Sequence, residues 1–142
     1  MVKKVVLDAS VIVKWFIKEN DSDKAEIIKE QFINEEISII VPSLLFYEIL
    51  NALKYSSLFN AEELSLAGAS IENYGFNVIM IKGEIRERMV EISINHDISV
   101  YDASYIALAE KFNTYLITAD EKISKKLPKN QKSQILILKN YK

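Results

Sequence analysis

The 142-residue chain has no cysteine, one histidine, three glycines and two prolines. Each scarcity removes a class of chemistry. Without cysteine there is no disulfide, no thiolate nucleophile and no thiolate-bound zinc or iron–sulfur cluster. A single histidine, His96, excludes a paired-histidine ribonuclease and any multi-histidine metal site. A Ser-His-Asp hydrolase would have to use His96 as its base, yet no G-x-S-x-G elbow exists. His96 instead stands in a polar INHD stretch that reads as a helix end, where the dipole favours a cation. Gly68, Gly75 and Gly83 are too few and too far apart for a Walker or dinucleotide-binding loop. No apolar run approaches the roughly 18 residues of a membrane span. The amino-terminal MVKKVVLDAS lacks the apolar core of a secretory signal, so a cytoplasmic protein without membrane attachment is expected. Neither sign of charge dominates: 18 Lys and Arg against 20 Asp and Glu give −2. That balance argues against a protein that coats nucleic acid non-specifically and leaves room for a local basic rim.

What is present is a real core: 49% hydrophobic and 27% charged residues suit one globular domain spanning 1–142. Short β-branched runs alternate with longer helical patterns, the signature of an α/β domain. Strands are expected at 4–7, 37–41, 77–81, 114–118 and 134–138. Each is nearly continuously apolar, as strands covered on both faces are. Helices are expected over 23–35, 43–56 with Ser43 as cap, 60–75 opening at Asn60, and 84–95 with Ile85, Met89, Val90 and Ile92 on one side. A last helix opens at Ser99 or Asp102. The layout predicted is a three-layer α/β/α sandwich with a central, mainly parallel sheet.

Four acids occupy telling places on that layout. Asp8 ends the first strand, Asp120 ends the fourth, Glu48 lies in the helix after the second, and Asp102 starts the helix before the fourth. Ligands of open parallel sheets bind outside the carboxyl ends of the strands, where strand order reverses. Asp102 reaches that edge provided its helix runs antiparallel to the strands. Each acid also has a purely structural reading. Asp8 and Asp120 can cap the following helices, and Ser99-Val100-Tyr101-Asp102 fits a capping box. Glu48 is harder to explain in that way, because Leu45, Ile49 and Ala52 share its helix face and Leu44, Phe46, Tyr47, Leu50 and Leu53 leave little polar face beside it. A carboxylate there is costly unless paired, protonated or bound to metal. Four converging carboxylates cannot all stay ionised without a counter-cation. Oxygen-only ligands favour Mg²⁺ or Mn²⁺, which usually completes its shell with water and substrate phosphate. The chemistry that follows is metal-assisted phosphodiester hydrolysis.

LDASVIVKWF, PSLLFYEILNALK, YDASYIALAEKF and YLITADEKI, in this order and spacing, resemble the PIN-domain ribonucleases, and most closely the VapC-type toxins of toxin–antitoxin pairs. The resemblance spans nearly the whole chain and implies a compact α/β sandwich and Mg²⁺- or Mn²⁺-dependent cleavage of RNA. Carried over residue by residue, it places Asp8, Glu48, Asp102 and Asp120 at the metal, Thr118 at the motif's hydroxyl position, and Ser10 as a small polar neighbour of Asp8. Ile123 stands where many relatives have an aromatic residue. The resemblance further implies an RNA substrate, a cognate antitoxin over the acidic cleft, and a homodimer to which Phe46, Tyr47, Leu58 and Phe59 can contribute. Lys14, Lys18, Arg86, Arg88, Lys122 and Lys125 are candidates for RNA phosphate contacts, each weighed against a solvated helix face.

Three other functions bear comparison. A PIN nuclease of RNA processing or repair has the same residues. A PIN module that only binds RNA has no need of all four acids. A flavodoxin-like receiver domain requires an acidic pair after the first strand and an acceptor Asp after the third, but LDAS has one acid and VIMIKG none.

Overall fold

The computed structural model describes residues 2–142. Five strands, β1 (Lys3–Leu7), β2 (Ile37–Pro42), β3 (Asn77–Ile79), β4 (Leu116–Thr118) and β5 (Ile135–Ile137), form one sheet in the order β3-β2-β1-β4-β5. Every pairing is parallel. All five predicted strands exist, though the outer ones are shorter than expected: Met80 and Ile81 leave the sheet after β3, and Leu138 enters a 3-10 turn after β5. Three-residue edge strands leave little unpaired backbone for another chain to join. Val5, Val6 and Leu7 in β1 and Ile39, Ile40 and Val41 in β2 are buried, consistent with helices on both faces. The chain builds outward from β1 to β2 and β3, then returns across the sheet to β4. The reversal therefore lies between β1 and β4, whose register pairs Leu7 with Ile117.

The helices are α1 (Ala9–Ile12), α2 (Ser22–Ile33), α3 (Leu44–Tyr55), α4 (Ala61–Glu72), α5 (Gly83–His96), α6 (Val100–Lys111), α7 (Lys122–Lys125) and α8 (Lys129–Lys132). The helix that Asp8 can cap has no bounds in the sequence, and neither it nor the 3-10 turn Val13–Trp15 that continues it is marked by a period, because a few residues show none. This segment is nonetheless fixed: Val11, Ile12 and Val13 are buried, and the Trp15 indole donates to the Ala25 carbonyl of α2 at 2.9 Å. Asn60 caps α4 with a full capping box, its side chain taking the Glu63 N–H while Glu63 takes the Asn60 N–H. Ser43 precedes α3 but makes no side-chain cap bond.

The core face of α3 is Leu45, Ile49 and Leu53, at i, i+4 and i+8; Ala52, expected beside them, is exposed. In α5 only Ile92 is fully buried, and Val90 faces solvent. The reason is α6, which carries seven consecutive buried residues, Ala103 to Ala109. It packs on β1, β2 and β4 on one side while α5 covers its other side. Small residues let both neighbours approach, so α6 has no amphipathic pattern to read. Arg88 near the start of α5 meets Glu110 near the end of α6, so the two helices run antiparallel. A short connection from Phe112 to Tyr115 leads α6 into a strand parallel to β1, which places the first turn of α6 at the carboxyl ends of the strands. The turn between α5 and α6 is made by Asp97 in the left-handed conformation, φ 51°.

Candidate active site

Asp8 is the first residue beyond β1 and is only 7% exposed. Both of its oxygens are held. Oδ1 caps α1 by accepting from the Ser10 N–H at 3.1 Å, and it also accepts from the Ser10 hydroxyl. Oδ2 accepts from the hydroxyl of Thr118, the fully buried last residue of β4. The same Thr118 hydroxyl accepts from the Asp120 N–H at 3.0 Å, and Ser10 Oγ accepts from the Ala119 N–H at 2.9 Å. Two hydroxyls thus stitch the end of β1 to the end of β4 across the point of strand reversal. The capping reading of Asp8 is correct, and it does not compete with a role in the cleft.

Glu48 lies half-buried in α3, and its Oε1 accepts from the Tyr105 hydroxyl at 2.5 Å. Asp102 occupies the first turn of α6, where Ser99 Oγ accepts its N–H at 3.0 Å. Only that half of the capping box forms, in contrast to Asn60, and the half-buried Asp102 carboxylate is left for the cleft. Asp120 is exposed, and its Oδ1 accepts the Lys122 N–H at 2.9 Å at the start of α7.

Burial and neighbouring carboxylates act on three of the acids. Burial pushes the Asp8 carboxyl up to about 6, with the charges of Asp102 and Glu48 adding to the rise and the Ser10 and Thr118 hydroxyls opposing it. Burial likewise raises Glu48, against the Tyr105 hydrogen bond and with help from Asp102. Asp102 is raised by burial and then by Asp120, while Ser99 and the ammonium of Lys126 act the other way. Among the described residues Lys126 is the cation that acts on Asp102, and its Nζ donates to the Asp97 carbonyl at 3.0 Å. Negative charge in excess of local positive charge, on oxygen donors alone, is an environment for a hard divalent cation.

Among the described residues no three His, Asp or Glu side chains are placed to hold a metal ion between them directly. The Asp8 oxygens are already engaged by hydroxyls, Glu48 and Asp102 are half-buried, and Asp120 is open to solvent. That donor set fits a cation that keeps most of its waters and reaches some carboxylates through them, the habit of Mg²⁺.

The basic residues divide. Arg88 is spent on structure: its Nε and Nη2 take the two Glu110 oxygens at 2.7 and 3.1 Å, and its Nη1 takes Glu91 at 3.1 Å. Lys14 pairs with Glu19 at 3.0 Å, and Arg86 sits by Glu87. Lys122 and Lys125 are exposed on α7, directly after Asp120, and Lys126 caps that helix. Of the expected exposed apolar residues, Tyr47 and Leu58 are exposed, whereas Phe46 and Phe59 pack against the core.

Two residues at this cleft escape sequence reasoning. Tyr105, 2% exposed, looks like core in an Ala-rich helix, and its partner is 57 positions away. Its one signal is spacing, since Tyr105 falls three residues after Asp102 and so on the same side of α6. Lys126 differs from its lysine neighbours only in the carbonyl that holds it.

Comparison with known proteins agrees with this architecture. Ribonuclease VapC3 of Pyrobaculum aerophilum is 28% identical over 130 residues, covering 88% of this chain and 95% of the relative. A toxin–antitoxin complex from Klebsiella pneumoniae shares the fold with a TM-score of 0.69 and 17% identity, covering 94% of this chain and 97% of the other. The Mycobacterium tuberculosis toxin VapC20, described as cleaving the sarcin–ricin loop, aligns with a TM-score of 0.66 and 16% identity over 85% of this chain and 93% of its own. The PIN domain family matches residues 5–127, which takes in Asp8, Glu48, Asp102 and Asp120, and the chain belongs to that family.

Proposed function

We propose that the protein is a Mg²⁺- or Mn²⁺-dependent endoribonuclease acting as the toxin of a VapBC-type toxin–antitoxin pair. The observation that carries the reading is geometric: the Thr118 hydroxyl joins buried Asp8 to the Asp120 backbone where the carboxyl ends of β1 and β4 meet, and the half-buried Asp102 and Glu48 stand near enough to act on Asp8. Capping accounts for Asp8 and Asp120 one at a time but not for half-buried Glu48 and Asp102 beside them, and burial makes like charges in proximity costly. Asp8, Asp102 and Asp120 would hold the cation, directly or through water, with Glu48 contributing metal contact or polarisation of the attacking water. A bound divalent cation supplies charge neutralisation at the phosphate and a more acidic water.

The chain's own groups do the rest. Ser10 and Thr118 hold Asp8 in one orientation, so it is organised before substrate arrives. Glu48, with its raised proton affinity, is suited to take a proton from water at its free oxygen Oε2. Lys126, with Lys122 and Lys125 on α7, provides the basic rim for RNA phosphates. The relationship to Ribonuclease VapC3 and the likeness to a toxin–antitoxin complex support RNA as substrate and an antitoxin as partner. Exposed Tyr47 and Leu58 are available for a homodimer contact.

The test is incubation of the purified chain with a mixed RNA pool. Cleavage appearing with Mg²⁺ or Mn²⁺ and abolished by chelation is expected; cleavage indifferent to chelator, or none with either metal, would sink the reading.

A further inference from the structure

The four acids are not equally supported. Asp8 has three donors from Ser10 and Thr118, and Asp120 and Asp102 are fixed by turns of backbone at helix starts. Glu48 projects from α3, and among the described residues its carboxylate has one partner, the Tyr105 hydroxyl on Oε1, and no donor on Oε2. Tyr105 in turn is 2% exposed in a helix buried on two sides, so its ring has one place to be.

We propose that Tyr105 is a positioning residue: its phenol fixes the Glu48 carboxylate so that Oε2 alone is offered to the cation or its water. The inference rests on the metal-dependent nuclease reading and assigns a role to a residue that reading does not use.

The chemistry of a phenol suits the task. A lysine or arginine at this place would also orient Glu48, but its charge would neutralise the cluster and compete with the cation. A neutral hydroxyl aligns the carboxylate while leaving its full negative charge in the cleft. Surrounding acids and burial also keep that hydroxyl protonated, since burial first and then Glu48, Asp8 and Asp102 all push its ionisation upward. Outer partners of metal-ligating carboxylates typically matter by tenfold or more in metal affinity.

The experiment is Mn²⁺ titration by calorimetry of the wild type, Tyr105→Phe, Glu48→Gln and the double variant, with melting temperatures to confirm folding. Tyr105→Phe keeps the ring and its packing, and Glu48→Gln keeps the tyrosine, so the two variants perturb the fold differently. Each single variant is expected to weaken Mn²⁺ binding by about tenfold, and the double variant by no more than the worse single one. Tyr105→Phe should lower kcat with little change in KM for RNA. Wild-type affinity in folded Tyr105→Phe, or losses that multiply in the double variant, would overturn the positioning role while leaving the nuclease reading intact. A wild type that binds no Mn²⁺ would overturn that reading and the proposal with it.

Discussion

The Thr118 hydroxyl donates to Asp8 Oδ2 and accepts from the Asp120 N–H, so one buried side chain at the end of β4 joins the acid that follows β1 to the acid that follows its own strand. The bond spans 110 positions of sequence and the seam at which strand order reverses. Parallel pairing of Leu7 with Ile117 brings these ends together. The meeting of Asp8 and Asp120 is thus a product of topology first and of side chains second.

Asp8 is held at a cost to the fold. Its carboxyl titrates at about 6 in the folded chain against an ordinary value of 3.8. Between those values the folded state binds more protons than the unfolded one, so stability falls as pH rises through this window and stays lower above it. The cost is of the order of 2–3 kcal/mol. Asp8→Asn should therefore raise the melting temperature at pH 7.5 and lose that advantage by about pH 4. Thermal unfolding at both pH values checks it; a gain that does not change with pH would contradict the assignment.

Thr118→Val preserves shape and removes the donor to Asp8. Leaving a buried carboxylate oxygen without that partner should cost roughly 1–3 kcal/mol of stability. It should also move the acidic limb of the cleavage profile to higher pH, because the Thr118 hydrogen bond holds the Asp8 carboxyl down. Thr118→Ser should restore both. Equal behaviour of the valine and serine variants in urea unfolding and in the pH profile would remove the hydroxyl from the account.

Two cations near the same helices should behave oppositely. Arg88 bridges α5 and α6 through Glu110, and Arg88→Ala should lower stability by roughly 1 kcal/mol while leaving KM for RNA unchanged. Lys126 faces Asp102, and Lys126→Ala should raise KM several-fold and reduce the slope of log affinity against log salt by about one. Cleavage kinetics at three salt concentrations distinguish them; a salt effect from Arg88 and none from Lys126 would reverse the assignment of the rim.

The sheet was readable because buried parallel strands are written as continuous apolar runs, as VVL and SIIV are, and turns and helix patterns separate them. The acids stood out because each lies at an element boundary or, for Glu48, on a helix with little polar face. Their convergence depends on α6 running antiparallel to the strands, which the left-handed turn at Asp97 and the pairing with α5 determine, and neither has a local signature. Val90 illustrates the same limit: its period fits the core side of α5, but only Ile92 of that helix is fully covered. Tyr105 was illegible for the opposite reason, since an apolar environment and a hydrogen-bonded phenol look identical in a sequence. Lys14 and Arg88 read as free cations because their partners, Glu19 and Glu110, are defined only by the fold.

The most direct test of the central claim is cleavage of RNA in Mn²⁺ by the wild type, Asp8→Asn and Asp102→Asn, each verified as folded by its melting temperature. The account predicts robust cleavage by the wild type and a loss of at least a hundredfold, about 3 kcal/mol of transition-state stabilisation, in both variants. Metal-dependent cleavage retained in both would contradict it.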